Sequence, residues 1–78
     1  MTALNRVTKI LIETLGSNPK DIIPTARLKD DLDADSLNLV EIVMGMEEEF
    51  ELTIPDEESE KLLTVQAILD YLKSKGIE

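Results

Sequence analysis

From Asp30 to Glu60 the chain carries thirteen of its seventeen Asp and Glu residues and no Lys or Arg; the flanking bases are Lys29 and Lys61. These carboxylates repel one another with no local cation to offset them. The usual fate of such a run is a solvated face. The same stretch also holds Leu37, Leu39, Val40, Ile42, Val43, Met44, Met46 and Phe50. Any fold must therefore gather these apolar side chains while leaving the acids in water.

The formal net charge of −9 argues against nucleic acid, which needs a basic face. Anionic membrane surfaces repel it for the same reason. The favoured partners are proteins with basic patches. With 78 residues the chain is expected to form one small domain, residues 1–78, near the lower limit for a stable core. It has no cysteine, so no disulfide can staple it. Packing must come from Leu, Ile and Val, since Phe50 and Tyr71 are the only aromatics. No apolar run approaches the roughly 20 residues of a membrane span. No signal-type apolar core follows Met1–Arg6. The expected setting is the cytoplasm, or an organelle if this is a matured form, and the expected state is a monomer.

The pattern predicts four helical segments, three longer and one short, and hence an all-α small four-helix bundle with a long first loop. The first helix is expected over Ala3–Leu15, capped by Thr2 and stopped by Gly16, with Leu4, Val7, Ile10, Leu11 and Leu15 at helical spacing. Ser17–Asp35 is a long connection punctuated by Pro19 and Pro24. Ile22, Ile23, Leu28 and Leu32 are available to pin it to the core. The second helix is expected over Ser36–Phe50 with Asp35 as its N-cap. Asp56–Leu62 reads as a short acidic turn or helix after Pro55. Val65–Lys75 reads as the last helix, capped by Thr64 and stopped by Gly76, with Val65, Ile68, Leu69 and Leu72 as its stripe.

The second helix has more apolar surface than one core face needs. Stepping about 100° per residue puts Leu39, Ile42, Val43, Met46 and Phe50 within an arc of about 100°. Leu37 and Met44 lie well outside that arc, Val40 lies between the groups, and Glu41 and Glu48 border the outer strip. Two readings stay open. The strip is further core under the long loop or the third segment, or it is a docking ridge whose carboxylates steer basic partners. Methionine suits a surface that meets several shapes.

Ser36 stands at the head of this helix. The chain has no His and no Cys, so its hydroxyl lacks a general base and is no catalytic nucleophile by itself. It makes better sense as an attachment point that basic enzymes come to find. Asp31, Asp33 and Asp35 alternate as in a calcium loop, but the sixth position is Ser36 rather than Gly and the twelfth is Ile42 rather than Glu, so an EF-hand fails. Loose divalent-cation binding by the acidic cluster stays open, with no residues assigned as metal ligands. Gly45 inside a helix costs about 1 kcal/mol relative to Ala. It is either a tolerated defect or a place where another backbone comes close.

Asp30-Asp31-Leu32-Asp33-Ala34-Asp35-Ser36-Leu37, with Val40-Glu41, Val43-Met44 and Glu47-Glu48-Glu49-Phe50 after it, resembles the acyl carrier proteins of type II fatty acid synthesis. So does Ile54-Pro55-Asp56-Glu57 with Thr64-Val65 downstream. The resemblance covers nearly the whole chain. It implies that the protein is a carrier and not an enzyme. Ser36 would bear a 4′-phosphopantetheine taken from coenzyme A by a phosphopantetheinyl transferase with magnesium, and the arm's thiol would hold acyl chains as thioesters. The resemblance also implies that Asp35, Leu37, Val40, Glu41, Met44, Glu47 and Glu48 meet that transferase and the acyl-processing enzymes. Val43, Met46, Ile54, Leu62 and Ile68 would line the acyl-chain pocket.

Three positions depart from the family pattern. Asp33 stands where Gly is common, Asn38 where Asp is common, and Gly45 where Ala is usual. The main fatty-acid carrier, a carrier for a polyketide, aminoacyl or dedicated lipid pathway, and an acidic helical adaptor without cofactor are the readings to separate.

Overall fold

The computed structural model describes residues 2–77. Helix α1 spans Ala3–Leu15. The Thr2 side chain accepts the Asn5 N–H, and Gly16 closes the helix in the left-handed region at φ 67°. A chain that must reverse there favours glycine, which has no Cβ to clash. Helix α2 spans Ser36–Phe50, α3 Asp56–Ser59 and α4 Val65–Ser74. Among the described residues there is no β-strand, only an isolated antiparallel bridge between Arg27 and Thr64. The expected all-α arrangement, three longer helices and one short one, is the observed one.

The third segment, read as a short acidic turn or helix over Asp56–Leu62, is a helix over Asp56–Ser59 followed by a turn. Beyond it the chain turns so that the Leu63 carbonyl can accept the Leu28 N–H at 3.0 Å. The last helix stops at Ser74, one residue before the expected Lys75, which serves as its cap. The long connection also contains a short 3₁₀ turn, Pro19–Asp21, capped by the Asn18 side chain.

The core gathers residues from every part of the chain. Val7 and Leu11 come from α1, Ile42 and Met46 from α2, and Val65, Ile68 and Leu72 from α4. Ile22, Ala26, Leu28 and Leu32 from the long loop are buried with them. That loop is thus internally packed, as its apolar residues required, while Ile23 faces solvent. It is also cross-tied. Asp31 Oδ2 accepts the Arg27 N–H at 2.7 Å and lies 3.3 Å from the Arg27 Nε. The backbone bond first, and the guanidinium bond after it, hold the Asp31 carboxyl below its ordinary range. Helices α1 and α2 approach closely at Gly45, where an added Cβ would sit 3.2 Å from Ile10 Cγ2. The neighbour that presses on Gly45 is thus a side-chain methyl rather than another backbone. Arg6 of α1 ties down the far end of α2. It bonds the Glu49 carboxylate at 2.9 Å and the Glu49 carbonyl at 2.8 Å, and its guanidinium lies 4.4 Å from the Phe50 ring centre.

Candidate functional site

The start of α2 is fixed by a reciprocal cap. The Asp35 carboxylate accepts the Asn38 N–H at 2.8 Å, and Asn38 Oδ1 accepts the Asp35 N–H at 3.1 Å. Asn38, which departs from the Asp common at its position, is therefore half of a capping box. The Asp-x-x-Asn spacing was the signal that could have revealed it. The approach to this cap is bent by Asp33, whose φ of 57° is left-handed. That is the conformation for which glycine is the natural choice, so the family's Gly at this position has a backbone reason.

Between the two capping residues sits Ser36, exposed to solvent. Among the described residues its hydroxyl takes part in no side-chain hydrogen bond. The Ser36 and Leu37 N–H groups are orphan donors of the first turn, because the Asp35 side chain satisfies only that of Asn38. A phosphodiester on Ser36 would lie beside them at the positive end of the helix, where anions are favoured. Geometry and chemistry both admit such a group.

The outer strip of α2 is not core. Leu37 is 68 % exposed, Val40 55 % and Met44 61 %, whereas Ile42, Met46 and Phe50 on the inner side are buried. Glu41 and Glu48 are exposed beside the strip. An apolar ridge with an acidic border thus leads away from Ser36. Asp35 is exposed too, although its carboxylate is engaged in the cap. Glu47 differs from the other acids. It is half-buried, and its Oε2 accepts the Ile54 N–H at 2.8 Å.

A cavity of about 370 Å³ opens between α2 and α3. Leu39, Val43 and Ile54 form its apolar wall, with Val40, Met44 and Glu47 on the α2 rim and Ser59 opposite. Of the five residues expected around an acyl chain, Val43 and Ile54 line this cavity. Met46, Leu62 and Ile68 are buried in the core and do not line it. The sequence reading missed Leu39, whose i, i+4 relation to Val43 was the available signal. Ser36, Val40, Val43 and Glu47 fall on one stripe of α2, so the cavity lies straight down the helix from Ser36. Val43 is about 10 Å along the axis from Ser36, and Glu47 about 16 Å. A larger recess of about 450 Å³ lies on the α1–α2 seam. Its walls include Glu13, Thr14, Glu48 and Glu49, a polar lining unsuited to an aliphatic chain. Among the described residues no group of three or more Asp and Glu converges as metal ligands would. No described helix is long and apolar enough to cross a membrane.

The site is thus an exposed serine at a capped helix start, flanked by an apolar and acidic ridge. Residues 5–72 match the phosphopantetheine attachment site family, and the chain belongs to that family. Its members carry a covalently attached 4′-phosphopantetheine and are carriers without catalytic activity of their own.

Proposed function

We propose that the chain is one acyl-carrier-like domain, residues 1–78, in which Ser36 bears the phosphopantetheine. The observation that carries this is the exposed Ser36 hydroxyl held at the capped start of α2, in a chain of this family. In the loading reaction Ser36 Oγ attacks the pantetheine-side phosphorus of coenzyme A. The pyrophosphate bond breaks and the nucleotide leaves. The serine proton goes to a base that the transferase supplies, since the chain has no His or Cys. Once attached, the arm supplies the thiol that holds acyl groups as thioesters.

The residues of the chain then divide the remaining work. Asp35 and Asn38 hold Ser36 at a fixed place outside the helix. Leu37, Val40 and Met44 offer apolar contact to the transferase and to acyl-processing enzymes, and Glu41 and Glu48 steer their basic patches. Leu39, Val43 and Ile54 offer the acyl chain an apolar wall on the same stripe as Ser36. That wall, together with the resemblance of Asp35-Ser36-Leu37 and Ile54-Pro55-Asp56, favours fatty acid synthesis over other carrier pathways. The protein works as a monomer in the cytoplasm, or in an organelle after maturation.

Incubation with coenzyme A, magnesium and a broad-range transferase tests the reading. The intact mass should rise by one phosphopantetheine, and Ser36→Ala should abolish the gain. An unchanged mass of the parent would leave only the adaptor reading. Thioester adducts recovered from cells identify the pathway.

A further inference from the structure

Glu47 has two bonds to the loop that follows α2. Its carbonyl accepts the Leu52 N–H at 3.1 Å and its carboxylate accepts the Ile54 N–H at 2.8 Å. Ile54 is buried and forms part of the cavity wall. Apart from the packing of Leu52 and Ile54 on the core, few other bonds hold this segment. Pro55 has no N–H to give, and α3 is a four-residue helix without a side-chain cap. A bond to an ionised acceptor is among the stronger hydrogen bonds. If it breaks, the Ile54 N–H is left unpaired at a buried position, which is penalised until the loop moves to meet water. The state of one carboxylate is thus coupled to the position of the cavity wall.

Resting on the carrier reading above, we infer that Glu47 is a positioning residue that latches the α2–α3 loop over the cavity. A cationic side chain of a docked protein competes for the same carboxylate. Two features support this use of the bond. Glu47 shares a stripe with Ser36, Val40 and Val43, so it stands where the cavity meets the exposed ridge. Val40 and Met44 border both the ridge and the cavity mouth, so a protein seated on the ridge is already at the latch. Glu47 is then less a steering charge, like Glu41 and Glu48, than a switchable tie. Docking on the ridge loosens the wall beside the cargo.

Three variants separate a bond from a charge. Glu47→Gln keeps an oxygen acceptor and loses the charge. Glu47→Asp keeps the charge and loses the reach by one methylene. Glu47→Ala loses both. The first readout is amide hydrogen exchange at Ile54 in unloaded protein, with Val7 and Leu11 as core references; it needs no cofactor. The second is hydroxylamine cleavage of an acyl thioester loaded at Ser36. The latch predicts that Asp and Ala speed Ile54 exchange by roughly tenfold or more while Val7 and Leu11 are unmoved, and that Gln, with a neutral acceptor, falls between the parent and Ala. Thioester cleavage should follow the same order. The latch is overturned if Ile54 exchanges alike in all four proteins, or if Val7 and Leu11 speed up equally. It is also overturned if Asp behaves as the parent and Gln as Ala. Failure to load Ser36 with Ile54 exchange as predicted would instead remove the carrier reading and leave the latch standing.

Discussion

The two sides of α2 are built on opposite terms. Toward α1 it buries Ile42, Met46 and Phe50, a Cβ at position 45 would press on Ile10 Cγ2 at 3.2 Å beside a polar recess, and Phe50 lies under the Arg6 guanidinium. On its other side Leu37, Val40 and Met44 stand in water, and the cavity beside the single-turn α3 is walled by Leu39, Val43 and Ile54. Fully burying one such side chain is worth about 1.5–3 kcal/mol. A domain whose whole stability is about 5–15 kcal/mol forgoes a large sum by leaving three of them exposed. The contrast teaches that the inner side sets the fold, while the outer side is left exposed, as the proposed docking requires.

The largest expected effect belongs to the inner side. Phe50→Ala should cost about 3–5 kcal/mol, enough to unfold much of the population, measured by urea denaturation. A loss under about 1 kcal/mol would show that the α1–α2 seam does not dominate stability. On the outer side, reversing Glu41 and Glu48 to Lys should slow transferase modification of Ser36 by roughly tenfold at low salt. The gap should narrow in 1 M salt, where the Debye length is about 3 Å. Stability should move by no more than about 0.5 kcal/mol. Equal modification rates would reduce these carboxylates to plain solvated surface.

Smaller effects sharpen the comparison at the edges of α2. Asp33→Gly should stabilise the protein by about 0.5–1 kcal/mol. Relief of the left-handed strain, about 1–2 kcal/mol, is partly offset by the freer unfolded chain. A higher melting temperature checks this, and a lower one would mean that the Asp33 side chain contributes something its backbone does not reveal. The smallest effect is acid-dependent. Asp31 titrates lower in the folded state than in the unfolded chain. Its contribution is present above the ordinary value near 3.8 and is lost as pH falls through the folded value. Asp31→Asn should therefore lie slightly below the parent in stability at neutral pH, and the two should converge in strong acid. A difference that persists unchanged into strong acid would assign it to packing.

The helices that sort their apolar residues locally were legible before any coordinates. Thr2 and Gly16 bound α1 as read, and Asp35 and Phe50 bound α2, because caps act within a few residues of the ends they close. Angular spacing separated Met44 from Met46 but left open whether Met44 was covered. Only the stand-off of α3 decides that, and it depends on long-range packing. The change from helix to turn after Ser59 has the same origin. Leu63 must meet Leu28, 35 positions earlier in the chain, and such a bridge leaves no periodic trace. The place of Ser36 at the capped start of α2 was legible from Asp35. The bond of Glu47 to Ile54 was not, since it depends on how the loop returns after Glu51 adopts a left-handed φ of 53°.

Met44 and Met46 offer the most direct test of the division across α2, because they share one chemistry and differ in face. Met44 is 61 % exposed and Met46 0 %. Each should be changed to Ala, and each variant measured for unfolding free energy and for the rate of Ser36 modification under conditions where it is folded. Met46→Ala should lose about 2–5 kcal/mol of stability with little change in the modification rate of the folded protein. Met44→Ala should lose well under 1 kcal/mol of stability yet slow modification by a factor equivalent to about 1 kcal/mol or more. If Met44→Ala unfolds the protein as severely as Met46→Ala and leaves modification of the folded fraction unchanged, the outer strip is core and the separation of fold from docking is wrong.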